Sequence, residues 1–299
     1  MKRLLVLSGK GGTGKTTVAS ALIRLTNAGR FADCDVDAPN LHLTVDLPAE
    51  ERTEAYYGLP RAEIDPGACV RCGTCAALCR FHAVMRDADG GFRIEPAACE
   101  GCALCAYACE EGAISMEPAL TGTLIARGDA RRFYSGARLA MGSGNSGKLV
   151  SAVKSRLAAA GSAGEIAVID GSPGIGCPVI ASVSGVDLVL IVAEPTRSGM
   201  SDMERILSTA AVLNARCAVC VNKADVNPVI ADQIEAFCAR EGIQFFGRIP
   251  FDRAVVEAVN AGDDITQRGG AAADAVAEIH RRVMRFFSDE EVDECGSKC

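Results

Sequence analysis

The sequence predicts an α/β protein built on a mostly parallel, doubly wound sheet with helices on both faces, into which one small cysteine-rich unit is inserted. Three observations carry that prediction. The apolar run Leu4–Leu7 enters a glycine-rich stretch, Ser8–Thr17, and leaves it through a helical pattern from Val18 to Leu25, the strand, loop and helix order of a phosphate-binding loop, or P-loop. Residues 165–169 and 187–193 are nearly continuous apolar runs, as expected of strands buried on both faces of a parallel sheet. Eight cysteines fall between Cys69 and Cys109, and their spacing repeats.

Composition narrows the class. With 299 residues, 49% apolar and 23% charged, the chain has enough apolar material for one large or two modest cores. Its net charge of −7 argues against nucleic acid as a general partner. No apolar run approaches the roughly 18 residues of a membrane span, and a P-loop starting at Gly9 leaves no room for a signal peptide. The expected location is the cytoplasm, and fifteen cysteines there read as metal ligands or buried thiols before disulfides.

The first element has the form Gly9-x4-Gly14-Lys15-Thr16. Gly9, Gly11, Gly12 and Gly14 let the backbone approach a triphosphate, so that N–H groups from Gly11 through Thr17, Thr13 among them, hold its oxygens at a helix N-terminus. Lys15 is expected to reach the β- and γ-phosphates and the Thr16 hydroxyl to sit on Mg²⁺. A second lysine, Lys10, makes the stretch Lys10-Gly-Gly-Thr-Gly-Lys15-Thr-Thr. This resembles the deviant Walker A motif of the MinD/ParA-type ATPases, whose family includes the nitrogenase iron protein and the Mrp-type iron–sulfur carriers. The resemblance implies ATP and Mg²⁺ as ligands and a homodimer in which Lys10 crosses to the partner's nucleotide. Such a cation supplied in trans contributes roughly 10³ to 10⁵ in rate in related phosphoryl transfer.

Next, Ala28-Gly29 closes the first helix and residues 30–32 lead into Asp33-Cys34-Asp35, acidic residues at a strand end, where a parallel sheet presents its ligands. By resemblance this is switch I, with Asp35 handling the attacking water and metal shell and Asp33 supporting it.

From about Pro48 to Pro118 the composition changes. Cys69-x2-Cys72-x2-Cys75-x3-Cys79 is followed by Cys99-x2-Cys102-x2-Cys105-x3-Cys109, the spacing of bacterial two-cluster ferredoxins. A zinc site more usually pairs two short Cys-x2-Cys units. The duplication predicts crossed ligation of two [4Fe–4S] clusters, Cys69, Cys72, Cys75 and Cys109 holding one and Cys99, Cys102, Cys105 and Cys79 the other. Arg80 and Glu110 replace the proline that usually follows the fourth cysteine, which removes a turn constraint and no ligand.

Residues 121–139 read as a hairpin returning the chain to the sheet. Gly142-Ser-Gly-Asn-Ser-Gly-Lys148 mimics a second P-loop by spacing, but Leu149 stands where the Mg²⁺ hydroxyl belongs, and a helix start at Ser146 explains it more simply. The strand at 165–169 ends in Asp170-Gly-Ser-Pro-Gly174, similar to the family's Walker B and switch II. The resemblance implies that Asp170 holds Mg²⁺ through water and that the Gly174 amide senses the γ-phosphate. Cys177 follows without a second cysteine beside it and reads as a packed or interface thiol.

Cys217 and Cys220 lie three apart on a strand and so face opposite sides. That strand ends in Asn222-Lys223-Ala-Asp225. In a GTPase such a sequence reads guanine, whereas in the resembled family Asn222 approaches adenine, aided by a loop at Pro250. ATP is the expected nucleotide. The last helix, expected over 271–287, has an apolar stripe at Val276, Ile279, Val283 and Phe286. The acidic residues that follow would repel anionic lipid, so no membrane partner is expected.

The expected organisation is an ATPase domain over 1–48 and 119–287, a ferredoxin-like α+β insert over 49–118, and an acidic tail over 288–299 carrying Cys295 and Cys299. The leading expectation is a dimeric iron–sulfur ATPase whose nucleotide state gates electron transfer through the clusters to a partner protein. The alternative is an ATP-dependent scaffold or carrier that delivers an iron–sulfur or metal cofactor to a client, and a third reading is a positioning switch with structural clusters.

Overall fold

The computed structural model describes residues 1–47, 50–161 and 164–296, with side chains as far as Asp289. The expected joint at Pro48 and Ala49, Cys299, and the side chain of Cys295 lie outside the described residues.

Strand β1 (Lys2–Leu7) runs through the glycine-rich loop into α1 (Lys15–Leu25) and β2 (Arg30–Asp33). After β3 (Glu51–Tyr57) comes a small unit formed by β4 (Arg61–Ile64), α2 (Thr74–Leu78), β5 (Val84–Arg86), β6 (Phe92–Ile94), α3 (Leu104–Tyr107) and β7 (Ile114–Glu117). The chain returns as the hairpin β8 (Leu120–Gly128) and β9 (Phe133–Leu139), followed by α4 (Ser146–Ala159), β10 (Ile166–Asp170), α5 (Cys177–Val183) and β11 (Leu188–Ala193). Helix α6 (Arg197–Val212), β12 (Cys217–Asn222), α7 (Pro228–Arg240), β13 (Gln244–Ile249), α8 (Arg253–Ala261), α9 (Ile265–Arg268) and α10 (Ala271–Gly296) complete it.

Nine strands form one sheet in the order β13-β12-β11-β1-β10-β2-β9-β8-β3. Pairing is parallel from β13 to β9 and antiparallel for β9–β8 and β8–β3. Both faces of the parallel part are covered, which is why its strands read as unbroken apolar runs. Along β1, Leu4 and Val6 join the core under α1 and α10, while Leu5 and Leu7 join the core under α4, α6 and α7. Cys220 packs in the first core and Cys217 against the second, so the pair does not converge. In α10, Val276, Ile279 and Val283 are buried as the stripe predicts; Phe287 completes it, and Phe286 is only half-buried under the Arg216 guanidinium.

Two boundaries differ from expectation. Strand β3 lies inside the range assigned to the insert, yet it extends the large sheet, pairing with β8 from Glu51 to Tyr57. Ion pairs from Glu51 to Arg127 and from Glu54 to Arg156 fasten it further. Its solvent-facing Glu-Arg-Thr-Glu pattern suits an exposed sheet edge, and this polarity hid it among the insert residues. Helix α10 also continues past Phe287 to Gly296, through residues expected to form a tail.

The small unit has its own core of Ala62, Ile64, Cys75 and Ile114, with Val84, Phe92 and Ile94 packed against it. Its strands form two two-stranded sheets, β4–β7 and β5–β6.

Candidate functional site

The glycine-rich loop lies at the C-terminal edge of β1, between β10 and β11. Its glycines divide into two kinds. A methyl group at Gly11 or Gly12 would meet open space, so that side of the loop is free for a ligand. Gly14, by contrast, has φ +92° and a methyl there would stand 2.2 Å from the Asn222 amide nitrogen, so glycine is needed for packing as well as for the turn. Gly9 is likewise set by packing, since a methyl would fall 2.1 Å from Asp202 Cβ on α6. Thr13 is buried, and its Oγ1 is an orphan without a hydrogen-bond partner among the described residues. A buried hydroxyl left unpaired is costly, and a phosphate oxygen would relieve it.

Below the loop, the Lys15 ammonium lies 2.6 Å from Asp170 Oδ1, with the lysine 6% exposed and the aspartate fully buried. The Thr16 hydroxyl donates to Asp170 Oδ2 at 2.7 Å, so Asp170 gathers both groups expected to serve Mg²⁺ and the phosphates. Thr17 sits in the first turn of α1, where its carbonyl accepts from Ser20 Oγ. The expected sensor, the Gly174 N–H, donates to the Ser8 carbonyl at 3.0 Å. A γ-phosphate contact requires it to leave that partner.

Asp33 serves its own loop. Its carboxylate accepts from the backbone N–H groups of Asp35, Asn40 and Leu41. Burial, and then the neighbouring Asp170 charge, push it up to about 7, against the pull of the Leu41 N–H and Lys15. Asp35 is buried at the mouth of the site, accepts a 3.4 Å bond from the Ala38 N–H, and is also held above the ordinary carboxylate range by burial.

Lys10 is half-exposed and pairs within its own chain with Glu194, Nζ to Oε2 at 2.8 Å. Lys223 holds the other oxygen of Glu194 at 3.1 Å and also donates to the Gly12 carbonyl. These bonds, that of Lys10 first, keep the Glu194 carboxyl below its ordinary value. Asn222 points under the P-loop, donating to the Thr13 carbonyl at 2.7 Å while its Oδ1 accepts from the Lys223 N–H. Asp225 fastens the loop containing Pro250 by accepting from the Phe251 N–H at 2.6 Å. Sequence reasoning gives no site role to Glu194 or to Asn40, whose side-chain amide lies 3.0 Å from Thr16 Oγ1. A lone acidic residue at a strand exit carries no spacing signal.

The cysteines line two cavities in the small unit. One, of about 170 Å³, has Cys69, Cys72, Cys75 and Cys109 in its walls, with Ile64, Val70 and Phe92. The other, of about 270 Å³, has Cys79, Cys99, Cys102 and Cys105, with Ala62, Val84 and Met116. Among the described residues no three His, Cys, Asp or Glu side chains close on one point as a single metal ion would require; the thiols stand around cavity walls instead. The two motifs share backbone geometry. Arg71 and Gly101, Gly73 and Ala103, and His82 and Gly112 all have φ between +52° and +81°. Left-handed conformations at Arg71, His82 and Ala103 each cost roughly 1 kcal/mol or more, a strain that turns each loop around its cavity.

Fold and loop together define a P-loop nucleotide-binding protein, and the comparisons specify which. The chain belongs to the CobQ/CobB/MinD/ParA nucleotide-binding domain family, which matches residues 4–265. It is 31% identical over 289 residues to the protein MJ0578 of Methanocaldococcus jannaschii, covering 95% of this chain and 97% of that one. A cytosolic Fe-S cluster assembly factor, the Nubp1 homologue of Drosophila grimshawi, is 35% identical over 72 residues, 24% of this chain and 23% of that one. Among solved structures, the Pyrococcus furiosus cell division ATPase MinD superposes with a TM-score of 0.55 at 16% identity, covering 95% of this chain and 99% of that one. MinD from Pyrococcus horikoshii, solved with Mg-ADP, gives 0.55 at 15% identity, over 94% of this chain and 95% of that one. None of the described helices is long and apolar enough to cross a membrane.

Proposed function

We propose that this protein is a dimeric iron–sulfur ATPase in which Mg-ATP binding and hydrolysis gate electron transfer to a partner protein. The observation that carries the reading is the membership of the two cavities: each combines three cysteines of one motif with the fourth cysteine of the other. Four thiols around each cavity fit a [4Fe–4S] cluster, and each cluster when bound supplies a one-electron redox centre. Chain residues do the rest. Lys15, Thr16 and the orphaned Thr13 hydroxyl bind and orient the triphosphate and its Mg²⁺, with Asp170 holding the metal's water shell. Asp35 positions the attacking water, and Lys10 leaves Glu194 to reach the partner protomer's nucleotide. Anaerobic iron and sulfide analysis with electron paramagnetic resonance tests the assignment. About eight irons per chain and two reversible signals are expected; zinc alone, or one centre, would refute it.

A second reading draws on the partial similarity to an Fe-S cluster assembly factor: an ATP-timed carrier of iron–sulfur clusters. Incubation with an apo-acceptor separates the two. Delivery of iron to the acceptor on ATP addition favours the carrier, and retention of all iron with reversible reduction favours the redox protein.

A further inference from the structure

We propose that the segment joining β9 to α4, residues 139–147, relays nucleotide state from both switches to the cavity lined by Cys79, Cys99, Cys102 and Cys105. The proposal rests on the iron–sulfur ATPase reading and specifies which of its centres responds. Three separate contacts converge on this short segment. At its start, the Leu139 N–H donates to the Val36 carbonyl of switch I at 2.8 Å. At its end, Gly147 in the first turn of α4 abuts Cys177, the first residue of α5 after switch II. A methyl group at Gly147 would stand 3.1 Å from the Cys177 carbonyl oxygen and 3.2 Å from its Cβ. At its tip, a methyl at Gly144 would stand 3.1 Å from Glu100 Oε2, and one at Gly142 would reach Ala97 at 4.0 Å. Glu100 lies between Cys99 and Cys102 and lines the second cavity, not the first.

The sequence motif thereby acquires a use. Gly142-Ser-Gly-Asn-Ser-Gly-Lys148 leads into α4, and an added methyl at Gly144 or Gly147 would crowd the Glu100 carboxylate or the Cys177 backbone. The direct covalent route from switch I into the small unit is a poor transmitter by comparison. It passes through β3, which pairs with β8 from Glu51 to Tyr57 and is held further by ion pairs from Glu51 to Arg127 of β8 and from Glu54 to Arg156 of α4. A shift in residues 33–40 would be absorbed at that edge. The segment 139–147, by contrast, touches both elements expected to rearrange with the γ-phosphate and presents its tip to one cavity.

The test uses the full-length holoprotein under anaerobic conditions with Mg-ADP or with Mg-AMP-PNP. Hydrogen–deuterium exchange should change with nucleotide in both 139–147 and 97–102. Gly144→Val, which crowds Glu100 while leaving the P-loop alone, should bind AMP-PNP with wild-type affinity yet lose at least half of the nucleotide response at 97–102. Glu100→Ala, which removes the same contact without adding bulk, should do likewise. Potentiometry of the wild type should show a nucleotide-dependent shift at the centre that Cys79→Ser removes, with no shift at the other. No nucleotide response at 97–102, an undiminished response in both variants, or a shift confined to the Cys69, Cys72, Cys75 and Cys109 centre would overturn the relay. A response at 97–102 with neither potential moving would leave the relay standing and sink the redox reading, since coupling between nucleotide and potential must be reciprocal.

Discussion

Removing the carboxylate of Asp170 perturbs the site most directly, because Asp170 is fully buried and its partner Lys15 is 6% exposed. At 2.6 Å and an effective dielectric constant of about 20, their Coulomb attraction is about 6 kcal/mol. Most of it is opposed by the desolvation of both ions. Asp170→Ala abolishes the attraction and keeps the desolvated ammonium, so the nucleotide-free protein should lose about 3–5 kcal/mol; loss of the Thr16 bond at 2.7 Å adds about 1 kcal/mol. For a chain of this size that lowers the melting temperature by on the order of 10 °C. Lys15→Met in the Asp170→Ala background removes the stranded charge and should recover at least about 2 kcal/mol. Urea unfolding of the wild type, both single variants and the double variant closes the cycle, with equal m-values as the check that the unfolded states are comparable. Additivity within about 0.5 kcal/mol would show that the two groups do not share one buried interaction, and the reasoning would fail.

Four further outcomes are expected. Thr13→Val removes an unpartnered buried hydroxyl, so it should raise the nucleotide-free stability by up to about 1 kcal/mol while weakening ATP binding by about tenfold; a loss in both would contradict the orphan assignment, and calorimetry reads both. Lys10→Ala should keep ATP affinity and lose on the order of 10³-fold in turnover; turnover unchanged at saturating ATP rules out its action in trans. Cys109→Ser should abolish the centre built on Cys69, Cys72 and Cys75 and spare the one built on its own motif, and electron paramagnetic resonance distinguishes this from the uncrossed result. His280 is held below the ordinary imidazole range by burial and by Arg281, and its Nε2 is buried without a partner among the described residues. Below about pH 6.5 the unfolded chain therefore binds more protons there than the folded one, and stability falls as pH falls through that window. His280→Leu should flatten the slope, and a melting-temperature profile over pH 5.5 to 7, roughly the imidazole range, that matches the wild type would count against it.

Legibility followed sequence spacing. The P-loop, the apolar strands of the parallel sheet and the repeated cysteine motifs are each a local pattern, and local patterns survive in a single sequence. Lys15, Thr16 and Asp170 were identifiable because each ends a recognisable strand or loop, and they meet within 2.7 Å. Glu194 and Asn40 were not, because a carboxylate or amide that partners a lysine or threonine from a distant element leaves no periodic trace. For Asn222 the resemblance implies an approach to adenine, and in the structure its amide serves the Thr13 carbonyl and the Lys223 N–H, beside Gly14.

The small unit follows the switch I segment in the chain, with β3 between them. Insertion after residues 33–40 suggests that switch I pulls on the insert through the backbone, yet a covalent link transmits motion only where the intervening chain is free to move. Here β3 intervenes, and it is a strand of the large sheet with both ion-pairing carboxylates fastened to other elements. On the proposed relay, motion passes between surfaces in contact rather than along the chain. The segment 139–147 is one place where such surfaces meet, with Leu139 bonded to Val36 beside Asp35 and Gly147 against Cys177. A methyl group at Gly144 or Gly147 would crowd those surfaces, so a bulkier residue at Gly144 should uncouple the halves without unfolding either.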